Sequence, residues 1–286
     1  SRALDAAHLE PGLTRAVTPP RPPGATRANL VLANLVLACL APLLLPLASS
    51  PAAHAASGEA QPSCRSAAVG DVPAARLDAL ARGFNLVGWL DRGDRRRPSP
   101  AWLVRLRSEG FPHVRLPVDG ALLMPDLAPR TTIDDTLAEL DAALDTLLNI
   151  GFVVSLDMHP AAAFNQRHTA DPAWGLAALE AAWRTLARRY AAISPDLLFI
   201  ELLNEPAVPL DIWQSQSASL ARTLRTLLPQ HTLILASADF QQAYRLLQTA
   251  PIADRNVVYA VHFYEPMSFT HQGADWNPGS SRRPGG

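Results

Sequence analysis

Residues 197–206 have the sequence LLFIELLNEP, an apolar run that ends in the polar tripeptide Asn204-Glu205-Pro206. A short apolar run of this kind is typical of a strand that is buried on both faces, as in a parallel sheet. An ionisable side chain at the end of such a strand costs free energy unless it has a partner or a task. The stretch therefore predicts a buried parallel strand and makes Glu205 a candidate general acid.

Similar apolar segments lie on both sides of this stretch and alternate with longer helical patterns. The predicted strands are Phe84–Leu90, His113–Val118, Phe152–Met158, Leu197–Leu203, Thr232–Ala236 and Val257–Tyr264. The predicted helices are Pro100–Ser108, Ile133–Leu148, Ala173–Ala192, Leu210–Leu227 and Gln241–Gln248. This alternation predicts parallel β/α units. A doubly wound sheet alternates in the same way, but no glycine-rich nucleotide fingerprint follows a strand. We therefore predict an α/β fold, an incomplete (β/α)8 TIM barrel with about six of the eight units.

Composition and charge exclude several classes of function. Hydrophobic residues make up 48% and charged residues 18% of the 286 residues, which is typical of a folded domain. The net charge is −1, so we expect no nucleic-acid partner. All 25 basic side chains are arginine, which excludes a lysine Schiff base and a phosphate-binding-loop lysine. The histidines show no metal-ligand spacing, and we expect no metal or other cofactor.

The first quarter of the chain differs in composition from the rest. We interpret residues 1–27 as a disordered lead-in, 28–56 as a signal peptide or membrane anchor, 57–75 as a linker and 76–286 as the partial barrel domain. The apolar run follows Arg21 and Arg27 and precedes Ala53-His54-Ala55, which favours a cleaved signal. We expect a secreted or periplasmic protein. The alternative is a membrane-anchored protein with its domain outside. We expect contact with a membrane only if the leader stays uncleaved.

Polar residues follow the apolar part of four predicted strands. In a barrel, catalytic groups project from the carboxyl ends of the strands. Each residue alone is compatible with a satisfied structural role, which we favour for Asp157, but four such ends at one rim indicate a site. The residues are Arg115 and Asp119 on the second strand, Asp157 and His159 on the third, Asn204 and Glu205 on the fourth, and His262 and Tyr264 on the sixth.

Five segments, taken in order, resemble the signatures of glycoside hydrolase family 5, the cellulase family. They are Gly83–Leu90 (GFNLVGWL), Arg115–Val118 (RLPV), Leu156–His159 (LDMH), Leu203–Pro206 (LNEP) and His262–Tyr264 (HFY). The segment Phe269–Trp276 (FTHQGADW) is similar to a loop of bacterial members. The resemblance covers residues 83–276, and the order of the segments makes it specific.

The resemblance implies a (β/α)8 barrel and retaining hydrolysis of β-linked glycans by two glutamates. It makes Glu205 the acid/base, which needs a raised pKa to protonate the leaving oxygen. It makes Asn204 the partner of the sugar 2-hydroxyl and Arg115 the group that orients the nucleophile. The residues that would bind substrate are Arg115, His159, Asn204, His262, Tyr264 and Trp276.

The family's nucleophile belongs to a seventh strand, and only six strands are predicted here. We considered three substitutes and set each aside: Glu265 should point away from Tyr264, Asp157 belongs to another strand end, and Glu201 lies too early in its strand. We therefore expect an exported endo-β-1,4-glucanase that is truncated and inactive as this chain, and monomeric, with β-glucan as its substrate. The alternatives are a β-mannanase, a β-1,3-glucanase, and a non-catalytic glycan-binding or inert fragment.

Overall fold

The computed structural model describes residues 71–91 and 96–274. Six parallel strands form one sheet in the order β1-β2-β3-β4-β5-β6, each paired with the next strand in the chain. This is an incomplete (β/α)8 barrel, as the sequence predicts. The strands are β1 (Gly83–Asn85), β2 (His113–Val118), β3 (Val153–Met158), β4 (Leu198–Glu201), β5 (Leu233–Ala236) and β6 (Val257–Ala260).

Helices connect successive strands, and three long ones pack against the sheet. They are α1 (Ala74–Leu80), α2 (Pro100–Ser108), α3 (Arg130–Ile150), α4 (Ala162–Ala170), α5 (Pro172–Tyr190), α6 (Leu210–Leu227), α7 (Ala238–Gln241), α8 (Ala243–Leu246) and α9 (Met267–Thr270), with a 3₁₀ turn at Gly120–Leu123. Strand β2 and helices α2 and α6 have the predicted bounds. Helices α1, α4 and α9 were not predicted.

Five of the six strands are shorter than predicted, and β1 and β6 lose the most residues. Strand β1 ends at Asn85 instead of Leu90, and Gly88 interrupts the following segment with φ of 89°. Strand β6 ends at Ala260, and His262 pairs beyond it only through an isolated bridge to Gln242. The strand-end segments leave the sheet here, which places their polar side chains in loops at the rim.

Local sequence signals set the ends of several helices. The Ser99 hydroxyl accepts the Trp102 N–H at 3.2 Å at the start of α2. The Asp171 carboxylate accepts the Trp174 N–H at 3.0 Å at the start of α5, whose first residue is Pro172. Helix α3 ends at Gly151, which has φ of 93° and therefore suits glycine. Polar caps thus mark the starts of α2 and α5, and glycine marks the end of α3.

Two buried tryptophans attach helices to the carboxyl ends of the central strands. The Trp183 indole N–H on α5 donates to the Leu202 carbonyl at 2.9 Å, directly after β4. The Trp213 indole N–H on α6 donates to the Ala236 carbonyl at 2.8 Å, at the end of β5. Both indoles are at most 1% exposed. These contacts combine apolar burial with a satisfied N–H group and hold the strand ends that carry the candidate site.

The predicted lead-in and signal or anchor, and most of the predicted linker, lie outside the described residues. In the described ranges, 71–91 and 96–274, no helix has both the length and the apolar character needed to cross a membrane.

Candidate active site

Strand register brings three buried charged groups together at the rim. Asp157 on β3 pairs in register with Glu201 on β4, so the two carboxylates lie side by side. The Arg115 guanidinium from β2 donates from Nε to Glu201 Oε2 and from Nη2 to Glu201 Oε1, both at 2.7 Å. The same Nη2 lies 2.8 Å from Asp157 Oδ2. Arg115 thus holds Glu201 in a bidentate pair, the geometry in which arginine binds a carboxylate most strongly.

Asn204 links this charged cluster to a histidine. Its amide oxygen accepts the Arg115 Nη2–H at 3.0 Å. His159 Nδ1 donates to Asp157 Oδ2 at 3.0 Å, and in the neutral form of the ring Nε2 accepts the Asn204 amide N–H at 3.4 Å. Asp157, Arg115, Asn204 and His159 therefore form a closed ring of polar contacts, and each side chain fixes the orientation of the next.

Burial and neighbouring charges shift the pKa values of two groups in the cluster. Burial raises the pKa of Glu201, and the charge of Asp157 raises it further, while Arg115 opposes both. Burial lowers the pKa of His159, but its hydrogen bond to Asp157 and the charge of that carboxylate outweigh burial, so the net pKa is raised. His159 can therefore supply a second positive charge beside two buried carboxylates.

Glu205 lies beside this cluster in an unusual backbone conformation. Its φ is 45°, in the left-handed region, and its N–H donates to the Gln241 side-chain oxygen at 2.9 Å. His262 Nδ1 donates to Glu205 Oε1 at 2.7 Å. Glu205 and His262 line one pocket of about 490 Å³, together with Phe240, Gln242, Ala243, Tyr244, Phe263, Tyr264, Glu265, Met267 and His271.

The net pKa of Glu205 is lowered, whereas the acid role implied by the resemblance needs a raised one. Burial raises the pKa, but the His262 hydrogen bond and the positive charges of His262, His159 and Arg115 outweigh it. Each of these groups stabilises the ionised carboxylate. A second carboxylate close to Glu205 would act in the opposite direction, because a like charge raises the pKa of a carboxyl group.

The structure gathers most of the residues that the sequence singled out. Arg115, Asn204 and His159 share one hydrogen-bond network, Glu205 and His262 form the adjacent pair, and Tyr264 packs edge-on against His262 at 5.9 Å between ring centroids. Trp276 lies outside the described residues.

Sequence reasoning set aside Glu201, which belongs to this site, and misplaced Glu265. Glu201 is part of the cluster because the β3–β4 register sets it beside Asp157, and the available signal was an ionisable side chain within an apolar strand. Glu265 lines the same pocket as Glu205 instead of pointing away. Strand alternation does not reach Glu265, because β6 ends at Ala260.

We compared the chain with known protein families and with solved structures. The sequence profile of Cellulase (glycosyl hydrolase family 5) matches residues 78–283. The chain belongs to glycosyl hydrolase family 5. Its match to a solved structure of Thermotoga maritima Cel5A in complex with cellobiose has a TM-score of 0.66 and 26% identity, covering 74% of this chain and 73% of that one.

Two curated relatives show how far the family likeness extends. Endoglucanase 3 of Fibrobacter succinogenes is 28% identical over 217 residues, which cover 69% of this chain and 33% of the relative. Cellodextrinase A of Ruminococcus flavefaciens is 30% identical over 215 residues, which cover 70% of this chain and 62% of the relative. This family 5 chain therefore spans between a third and two thirds of the length of these relatives.

Proposed function

We propose that this family 5 chain supplies the acid/base residue, Glu205, of an active site that hydrolyses β-1,4-glucan with retention of configuration. The observation that carries the proposal is the 2.7 Å pair between Glu205 and His262 in a pocket at the carboxyl ends of the strands. An ionisable pair in a concave site at this end of a barrel is the expected position for catalysis.

Glu205 would act twice in this reaction. It donates a proton to the glycosidic oxygen as the leaving sugar departs, and it then removes a proton from the attacking water. His262 holds the carboxylate by its Nδ1–H, and the 35% exposure of the Glu205 side chain leaves it accessible to a sugar. Glu205 thus combines a fixed position with access to substrate.

The neighbouring cluster would orient the substrate and the partner carboxylate. Asn204 is fixed by Arg115 and His159 and would hydrogen-bond the sugar 2-hydroxyl. Arg115 donates its Nε–H and an Nη2–H to Glu201. Among the described residues, the one hydrogen bond of its Nη1 group is a long one, 3.3 Å to the Asn85 side-chain oxygen. We propose that Nη1 faces the second carboxylate of the retaining pair.

A second carboxylate is required by the retaining mechanism, about 5–5.5 Å from the first. Among the described residues, Glu265 shares the pocket of Glu205, but it accepts the Met267 N–H from its own loop and lies exposed. The sequence contains no glutamate after Glu265. We therefore expect the 286-residue chain alone to bind cello-oligosaccharide without hydrolysing it.

Two curated relatives support the choice of β-1,4-glucan, since one is named an endoglucanase and the other a cellodextrinase. The solved Thermotoga maritima relative holds cellobiose. A β-mannan or a β-1,3-glucan would fit the same barrel with different loops. These two substrates are the alternatives that the experiment below separates.

The experiment uses an extended chain, in which strands seven and eight of a family 5 barrel, with their helices, follow residue 286. We expect hydrolysis of cellotetraose in preference to mannotetraose and laminaritetraose. Glu205→Gln should abolish hydrolysis and retain binding, measured by calorimetry. Glu265→Gln is the matched control, because it neutralises a carboxylate in the same pocket, and it should leave turnover nearly unchanged.

Preferred hydrolysis of the mannan or β-1,3 oligosaccharide would replace the proposed substrate. Unchanged turnover in Glu205→Gln would remove Glu205 from the proposed role.

We further propose that the protein is exported. The support is the apolar run at 28–47 with Arg21 and Arg27 before it and Ala53-His54-Ala55 after it. Expression with residues 1–56 in a secreting host should yield extracellular protein that begins near residue 56. Protein that stays in the membrane fraction would favour the anchor.

A further inference from the structure

Gln241 connects the two partners of the Glu205–His262 pair. Its side-chain oxygen accepts the Glu205 backbone N–H at 2.9 Å, and its own carbonyl accepts the His262 backbone N–H at 2.8 Å. Gln241 is fully buried, at 0% exposure. Gln241, the last residue of α7, therefore holds the main chains on both sides of the 2.7 Å side-chain contact.

The backbone around this connection is in a sparsely populated conformation. Within residues 71–91 and 96–274, the non-glycine residues with positive φ are Glu205, Asp239, Phe240 and Gln241, at 45°, 55°, 59° and 59°. Such conformations cost free energy and persist where the surroundings hold them. Three of these residues make the contact between the end of β4 and α7: the Glu205 N–H donates to the Gln241 side chain, and the Phe240 N–H donates to the Pro206 carbonyl at 3.4 Å.

The polar chemistry of Gln241 is poorly explained by stability alone. Its Nε2 group is buried and has no hydrogen-bond partner among the described residues. An unpaired buried amide N–H costs free energy, which an apolar side chain of similar size would avoid. The opposite assignment, with the amide nitrogen and oxygen exchanged, is excluded, because only the oxygen can accept the Glu205 N–H. The retained benefit of the glutamine is thus the acceptor that it presents to Glu205.

We infer that Gln241 is a positioning residue of the acid/base: it holds Glu205 in its left-handed conformation so that the carboxylate meets His262. This inference rests on the proposed function of Glu205. Gln241 acts through the Glu205 main chain, and the charged groups that act on the Glu205 carboxylate remain His262, His159 and Arg115. Loss of the Gln241 acceptor should let residue 205 relax and separate the carboxylate from His262.

The test compares Gln241→Leu with Gln216→Leu in the full 286-residue chain. Gln216 on α6 is a matched control because it is also a buried glutamine, 5% exposed. Its side chain makes hydrogen bonds to His168 at 2.8 Å and to the Pro172 carbonyl at 2.7 Å. The carboxyl carbons of glutamate are labelled with ¹³C, and the Glu205 signal, assigned with Glu205→Gln, is titrated with acid. We expect the pKa of Glu205 to rise in Gln241→Leu, because burial persists while the His262 bond is lost, and to stay unchanged in Gln216→Leu. An unchanged titration in folded Gln241→Leu would overturn the inference.

Gln241→Glu keeps the proposal testable if Gln241→Leu does not fold. Glutamate retains an oxygen for the Glu205 N–H, so that N–H should stay as protected from hydrogen exchange as in the unmodified chain. Rapid exchange at Glu205 in a folded Gln241→Glu protein would contradict the inference.

The extended chain separates this inference from the proposed function. There, Gln241→Leu should lower kcat on cellotetraose by about tenfold with little change in KM, since a displaced proton donor affects the chemical step. If the unmodified extended chain hydrolyses no glucan while Gln241→Leu still shifts the Glu205 titration, the proposed function fails and the positioning role stands. Hydrolysis of glucan together with an unchanged titration and kcat in Gln241→Leu would remove the positioning role alone.

Discussion

Arg115 is the residue on which the buried polar contacts of the site converge. It binds both oxygens of Glu201, the amide oxygen of Asn204 and the carboxylate of Asp157. Its side chain is 16% exposed, so these contacts form in a region with little solvent screening. A planar fork of N–H donors suits this set of acceptors, and a compact ammonium group does not.

Arg115→Lys should therefore destabilise the folded chain by about 1–3 kcal/mol, because at least one charged hydrogen bond is lost and an acceptor is left buried. Denaturant unfolding measures the change. Arg105→Lys is the control, since the Arg105–Glu109 pair lies on the surface, and it should have no measurable effect. Equal stability of both variants would show that the Arg115 fork contributes nothing to the fold.

The His159–Asp157 pair should make stability depend on pH. The folded pKa of His159 is raised above its unfolded value, so its stabilisation is complete below the ordinary histidine pKa and disappears as pH rises through the raised pKa. Asp157→Asn removes the partner charge, so the pKa of His159 should fall and this pH dependence should vanish. Histidine NMR titration checks the shift, with His231, whose pKa is lowered mainly by burial, as the internal reference. An unaltered His159 titration would contradict the assigned cause.

Among the helices, the packing of α5 requires a glycine at position 175. A Cβ on Gly175 would lie 2.0 Å from His168 Cδ2, and the His168 ring is held by a 2.8 Å contact to Gln216 on α6. Glycine lets α4, α5 and α6 pack together at this point.

Gly175→Ala should destabilise the chain by about 1–3 kcal/mol through overpacking, although alanine is favoured over glycine inside an exposed helix. Thermal unfolding measures it. Ala177→Gly on the exposed side of α5 is the control for helix propensity alone and should cost about 1 kcal/mol. Stabilisation by Gly175→Ala would show that the His168 contact is easily relieved.

Sequence patterns predicted the elements where one period dominates. Strand β2 and helices α2 and α6 have the predicted bounds; the strongly amphipathic α6 follows its apolar spacing, and the Ser99 cap and Pro100 mark the start of α2. The segment predicted as one helix at Gln241–Gln248 is interrupted at its start: Gln241 is left-handed, Gln242 is extended, and the short α8 follows. No sequence signal indicates this turn, because no glycine lies in it. Register between strands, which sets Glu201 beside Asp157, depends on pairing that no local pattern reports.

At the scale of the whole molecule, the sheet has two different regions. Strands β4 and β5 are buried at every residue, whereas all four residues of β6 are partly exposed and β1 alternates between exposed and half-buried. Exposed aromatic residues continue beyond β6, with Phe263 at 75% and Phe269 at 76%. The candidate site spans both regions, because Arg115, Asn204 and His159 lie over the well-packed strands and His262 lies beyond β6.

The sequence predicted part of the candidate site. The strand-end pattern and the family motifs both mark five residues at the rim: Glu205, His262, Arg115, Asn204 and His159. Gln241 follows from neither motif nor period, because its role depends on a contact between α7 and the end of β4.

We propose Glu205 as the proton donor of a retaining β-1,4-glucanase site. A comparison of Glu205→Gln in the extended chain on cellotetraose and on 2,4-dinitrophenyl β-cellobioside, whose leaving group needs no proton, tests this role. We expect kcat/KM on cellotetraose to fall by about 10²–10⁴-fold and the first, bond-breaking step with the dinitrophenyl substrate to be nearly unchanged. Equal losses on both substrates, or full activity on cellotetraose, would contradict the assignment of Glu205.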